Sequence, residues 1–147
     1  KYKSLTTDET IVIASSWVPP SMQMLGKGHQ GFWMPAVISA KDIADDETVT
    51  FVSVMEPYVE SSKIRNSARI VAECDRNVVV QTDFTDGKID VVVLLDPDGP
   101  QKQVSFVVNN KSVVSNCQWA LLRFSPDGDV QDVRKDEGAL WIDGSLM

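Results

Sequence analysis

One histidine and two cysteines in 147 residues leave little material for metal or redox chemistry. Two cysteines are too few for a disulfide scaffold, and a single histidine is too few for a His-rich metal site. Cys74 and Cys117 lie far apart in sequence, and two buried thiols are preferred over a disulfide. Long apolar runs are also missing. The longest is Val91–Leu95, well short of the ~18 residues that span a bilayer, so no membrane insertion is expected. Basic clusters are missing too. Lys and Arg number 14 against 21 Asp and Glu, giving a formal charge of −7. Binding to a phosphate backbone needs grouped cations to displace counterions, so nucleic acid is excluded as a partner. No Gly-rich phosphate loop follows a strand, no βαβ rhythm is present, and no internal repeat is found.

What is abundant is valine, with 21 copies. β-branched side chains lose χ1 freedom in helices and fit a pleated surface, so the composition points to sheet. Turn chemistry agrees. Asp96-Pro97-Asp98-Gly99 and Ser125-Pro126-Asp127-Gly128 place proline where φ is preset and glycine where φ turns positive. Thr85-Asp86-Gly87-Lys88 and Asn109-Asn110 have the residues of tight hairpins. Between these marks, strands are predicted over 9–17, 33–39, 47–55, 69–74, 78–84, 88–95, 103–108, 112–115, 118–124, 130–133 and 139–142. The span Arg69–Val108 reads as a four-strand meander, with Lys88–Leu95 a central strand covered on both faces. Ser39–Asp46 has the composition of a short helical turn. Ser61–Cys74 carries Ile64, Ala68 and Val71 at helical spacing but ends in a strand-like alternation, and strand from Arg69 is preferred.

Val18–Pro35 is the unusual stretch. Its prolines and glycines oppose a long regular element, yet it carries Met22, Met24, Phe32 and Trp33, which avoid water. Three accounts compete. The loop folds over an open end of the sheets, or it is a contact surface with Met22, Met24, His29, Phe32 and Trp33 as adaptable anchors, or it is a small-ligand site.

Signals of chemistry are weak. His29 is the only histidine available to a nucleophilic triad, and no G-x-S-x-G accompanies it. Asp83, Asp86 and Asp90 surround Gly87, but their spacing is not that of a calcium loop, and the hairpin explains them. Asp45-Asp46-Glu47 reads as a solvated turn. Glu56, Glu60 and Glu73 supply no isolated pair for glycoside chemistry. Of the tryptophans, Trp119 and Trp141 read as core, and Trp33 is the best exposed platform for a sugar ring.

The expected fold is all-β: an antiparallel β-sandwich of Ig-like or jelly-roll-like kind, with a partly closed barrel as the alternative. Residues 1–147 read as a single β-rich domain, and the start at Lys1 suggests one cut or processed from a longer protein. The expected function is a non-catalytic structural or protein-binding module of an extracellular or viral or phage particle assembly. It would act through a protein partner or self-assembly at the 18–35 loop, without cofactor or metal. The alternative is a carbohydrate-binding module that stacks a glycan on an exposed tryptophan.

Overall fold

The computed structural model describes residues 1–6, 9–18, 32–45, 49–71 and 76–147. Among them there is no helix, and thirteen strands form antiparallel sheets. The chain divides into two compact units.

The first unit comprises residues 1–6 and 46–147. Its five-stranded sheet contains β5 (Ile64–Val71), β6 (Val78–Phe84), β7 (Ile89–Leu94), β10 (Trp119–Phe124) and β11 (Val130–Lys135), in the order β11-β10-β7-β6-β5. Its four-stranded sheet contains β8 (Val104–Val108), β9 (Lys111–Ser115), β12 (Leu140–Ile142) and β13 (Ser145–Leu146), in the order β13-β12-β9-β8. The sheets share one core. Val79, Val91, Val93, Ala120, Leu122 and Phe124 come from the first, and Val104, Phe106, Val108, Val113, Leu140 and Ile142 from the second. The period-2 alternation of the strands produces this directly: β8 reads buried-exposed through all five residues. The class is therefore all-β and antiparallel. The sheets do not close into a barrel, since both end in edge strands, and a sandwich-like class is consistent with them.

β1 (Tyr2–Ser4) pairs with β4 (Ser53–Met55). Leu5, Val52 and Val54 pack against Val78 and Val80 of β6. Because Val79 faces the shared core, Val78 and Val80 lie on the opposite, outer face of the five-stranded sheet. β6 is thus apolar on both sides, which the run Val78-Val79-Val80 reflects.

Several sequence expectations change. The four-strand meander is only three strands long: β5, β6 and β7 are consecutive neighbours, but β8 belongs to the other sheet, and β10 takes the place beside β7. β7 is central, as expected, but its second face is not covered, with Val92 and Leu94 exposed. β5 starts at Ile64 rather than Arg69, and its helical spacing is overridden by pairing with β6. Of the strand expected over 47–55, only Ser53–Met55 is paired among its described residues 49–55, and Ser39–Asp46 forms no helix over its described residues 39–45. β1 and β13 were not anticipated. The second follows Asp143-Gly144, whose φ values of 49° and 79° make a two-residue hairpin turn. Cys117 is a buried free thiol, and Cys74 lies outside the described residues.

The second unit, Thr7–Asp45, holds β2 (Thr10–Val18) and β3 (Phe32–Ala40), paired through nine consecutive positions from Thr10↔Ala40 to Val18↔Phe32. In a two-stranded ribbon both strands are edges, so Pro35, opposite Ser15, is tolerated without a ladder N–H.

Candidate functional site

The expected contact residues fall in two groups. Met22, Met24 and His29 lie outside the described residues. Phe32 and Trp33 do not belong to an irregular loop; they open β3, with their backbones paired to Val18 and Trp17. The pairing takes in both ends of the unusual stretch, Val18 and 32–35, and residues 19–31 lie outside the described residues. Further along, Val12 and Ile38 sit directly opposite each other and are 49% and 54% exposed. Ile11 and Val37, one residue away on each strand, project to the other face and are also exposed. The ribbon therefore presents apolar side chains on both faces. An isolated two-stranded ribbon is marginal in water, because it has too little surface to bury against itself.

The first unit carries a separate apolar surface. On the outer face of the five-stranded sheet, Leu94 pairs with Trp119 and Val92 with Leu121. Val92, Leu94 and Trp119 are all exposed. Trp119, expected in the core, is outward because Ala120 and Leu122 take the core-facing positions of β10. The strip continues from Val78 and Val80, which β1 and β4 cover, so half of one apolar face is covered and half is open. Ion pairs border the open half. Arg123 donates to both carboxylate oxygens of Asp90 at 2.7 and 2.6 Å, and Arg134 pairs with Asp132 at 3.0 Å. These are exposed enough to set the border of the strip rather than to stabilise it strongly.

Asp83, Asp86, Asp90 and Glu56 have structural partners. Asp86 accepts from the Lys88 ammonium and the Lys88 N–H, which hold its carboxyl below the ordinary range, while Gly87 takes φ 85°. Asp83 accepts from the Gln81 amide at 2.7 Å, and Asp90 holds Arg123. Glu56 accepts from the Ser62 hydroxyl and from the N–H groups of Lys63 and Ile64, closing the 56–64 loop. The Ser62 hydroxyl foremost, with these N–H groups, outweighs desolvation and holds the Glu56 carboxyl below its usual value. Glu60 is exposed, and Glu73 lies outside the described residues. Among the described residues no three His, Cys, Asp or Glu side chains gather as a metal site, and no helix is long and apolar enough to cross a membrane.

Asp136 fixes the edge of the apolar strip. It accepts from Gln118 N–H at 2.7 Å, Trp119 N–H at 3.3 Å and Gly138 N–H at 2.9 Å. Desolvation pushes its carboxyl up, but these donors, with the Cys117 thiol, prevail and hold it below the ordinary aspartate range. The signal in the sequence was a lone Asp in Lys-Asp-Glu-Gly, indistinguishable there from a solvated turn.

Compared with protein-family models, with curated proteins and with solved structures, the chain matches none of them.

Proposed function

We propose that this chain is a non-catalytic protein-binding module of a larger assembly, extracellular or part of a viral or phage particle, and that the β2–β3 ribbon with its 18–35 segment is its contact. The observation that carries this is the ribbon itself: nine unbroken pairs with Ile11, Val12, Val37 and Ile38 exposed over both faces. Such a ribbon gains stability when another surface covers it. The sequence of 18–35 is itself apolar, and it includes Met22 and Met24, side chains able to adapt to a partner, together with His29. The shared core of the first unit supports a sandwich of the Ig-like or jelly-roll-like kind. The test is the solution mass by light scattering at two protein concentrations, for the native chain and for Phe32→Ser/Trp33→Ser. The double variant should have a lower mass than the native chain and keep the same far-UV spectrum. An unchanged mass rejects the ribbon as the self-assembly contact.

A carbohydrate-binding function is the second possibility, and the exposure of Trp119 beside Leu94 favours it. A sugar C–H face packs on such a ring. A glycan array that responds, and loses its response in Trp119→Ala, supports it. A blank array, or a response that survives both Trp119→Ala and Trp33→Ala, removes it.

A further inference from the structure

The edges of the two large sheets are protected unequally. β11 carries Asp132, Arg134 and Lys135. β5 carries Arg65 and Arg69, and its register shifts twice. β13 has only two residues. Charge, irregularity and brevity are the usual ways of preventing a sheet edge from recruiting another strand. β8 has none of them. Its sequence Val-Ser-Phe-Val-Val is uncharged, lacks proline and pairs with β9 in one unbroken register. β5 of the other sheet approaches β8 but does not pair with it.

The hairpin fixes which main-chain groups are free. Asn109 and Asn110, with φ of 50° and 61°, make a two-residue turn closed by the Val108–Lys111 pair. Val104, Phe106 and Val108 therefore direct their N–H and C=O groups to β9. Ser105 and Val107 direct theirs to the edge that no other described strand pairs with. Both side chains are exposed, Val107 at 68%.

We propose that β8 is a self-pairing edge, through which two copies of this chain join antiparallel about a twofold axis at Phe106. This goes beyond the ribbon contact and involves a different part of the molecule. The free groups match the symmetry. Ser105 of each copy faces Val107 of the other, and each such pair exchanges two main-chain hydrogen bonds. Val104 faces Val108, and no like charges meet along the strand. The two four-stranded sheets become one of eight strands.

Charge at the strand ends selects a second copy as the occupant. Lys102 precedes β8, with its ammonium on the Pro97 carbonyl. Beyond the far end, Gly128 lies against the Asn109 amide, which brings the Asp127-Gly128-Asp129 turn to that end. Lys111 there is already paired with Asp143 at 3.5 Å. Antiparallel pairing sets Lys102 of one copy opposite Asn110 of the other, beside the acidic turn. This occurs at both ends by symmetry, a local attraction within a chain of net charge −7.

The test compares two double variants by sedimentation over a concentration series. Ser105→Lys/Val107→Lys puts lysine opposite lysine twice and should weaken association by about tenfold or more. Ser105→Glu/Val107→Lys puts glutamate opposite lysine at the same positions and should associate as the native chain does. Both replace exposed side chains, so unfolding curves should remain like the native one. A native chain that stays a monomer at every concentration overturns the proposal. So does a Lys/Lys variant that associates as well as the native chain, or a Glu/Lys variant that fails to associate. The ribbon variant Phe32→Ser/Trp33→Ser leaves this association intact, so the two contacts fail separately.

Discussion

Two turns with nearly the same sequence send the chain in different directions. Asp96-Pro97-Asp98-Gly99 and Ser125-Pro126-Asp127-Gly128 share three residues and the same first hydrogen bond, from the glycine N–H to the carbonyl three residues back, at 3.1 and 3.0 Å. The second closes a hairpin within one sheet. Gly128 takes φ 91°, Asp129 N–H reaches Ser125 Oγ at 3.0 Å, and Ser125 N–H returns to Asp129 O at 2.8 Å. In the first, the residue after glycine is Pro100, which has no N–H to donate and disfavours a helical or turn conformation just before it. Gly99 stays out of the left-handed region, and the chain crosses to the other sheet. Among the described residues, four connections within a sheet close by positive φ, at Gly87, Asn109-Asn110, Gly128 and Asp143-Gly144. Connections between sheets are held by side chains that capture backbone N–H groups. Asn77 takes Asp96 N–H, Ser115 takes Cys117 N–H, Asn116 takes Ala139 N–H, and Asp136 takes three.

This difference predicts that crossings are the more fragile connections. The largest effect is expected at Gly138→Ala. A Cβ there would lie 2.5 Å from the Cys117 Cα and 2.8 Å from its N, and backbone has little room to yield. A loss of about 3 kcal/mol in urea unfolding is expected. Asn77→Ala comes next. Asn77 is fully buried, accepts from Asp96 N–H at 3.0 Å and donates to Gln101 at 3.2 Å, so truncation breaks two part-buried hydrogen bonds at a cost of about 2 kcal/mol. The hairpin glycines should matter less. Gly144→Ala, at φ 79° in open space, measures backbone strain alone, about 1 kcal/mol. Gly128→Ala should exceed it, because the Asn109 amide must also move. If Gly144→Ala proves as damaging as Gly138→Ala, the contrast between the two kinds of connection is wrong.

The smallest effect is a pH dependence. The folded Asp136 carboxyl is held below its ordinary value, so its contribution is present above the ordinary aspartate range and lost as pH falls through the folded value. The native chain should be more stable than Asp136→Asn near neutrality, and the gap should narrow on acidification. A gap that is constant down to acid pH would show that the ionised carboxylate is not what holds this crossing.

Much of the sheet was legible because the signals are local. The alternation of Val104, Phe106 and Val108 gave core positions that the structure keeps. The hairpins at Gly87, Asn109-Asn110 and Gly128 were written in residues that tolerate positive φ. The exposed face of β7 was not legible. Val92 and Leu94 look like core in a run of five apolar residues, and they are surface because no described element of the first unit packs over that half of the face. Trp119 was misassigned for the same reason, since a strand pattern gives two faces without saying which one is inside. β5 was half legible, because the spacing of Ile64, Ala68 and Val71 fits a helix until the pairing with β6 decides. Of the candidate contact residues, Phe32 and Trp33 read as part of an irregular stretch, and their place on a paired ribbon depends on β2, which ends at Val18 earlier in the chain.

By itself, then, the sequence determined the secondary structure class, the period of burial and the position of the tight turns. Each of these depends on steric preferences within a few residues. Tertiary structure decided which sheet each hairpin joins, which half of an apolar face stays open and which edge is left unprotected. Those outcomes depend on pairings between residues distant in sequence, such as Val91 with Leu122 and Val113 with Ile142, whose partners no local pattern specifies.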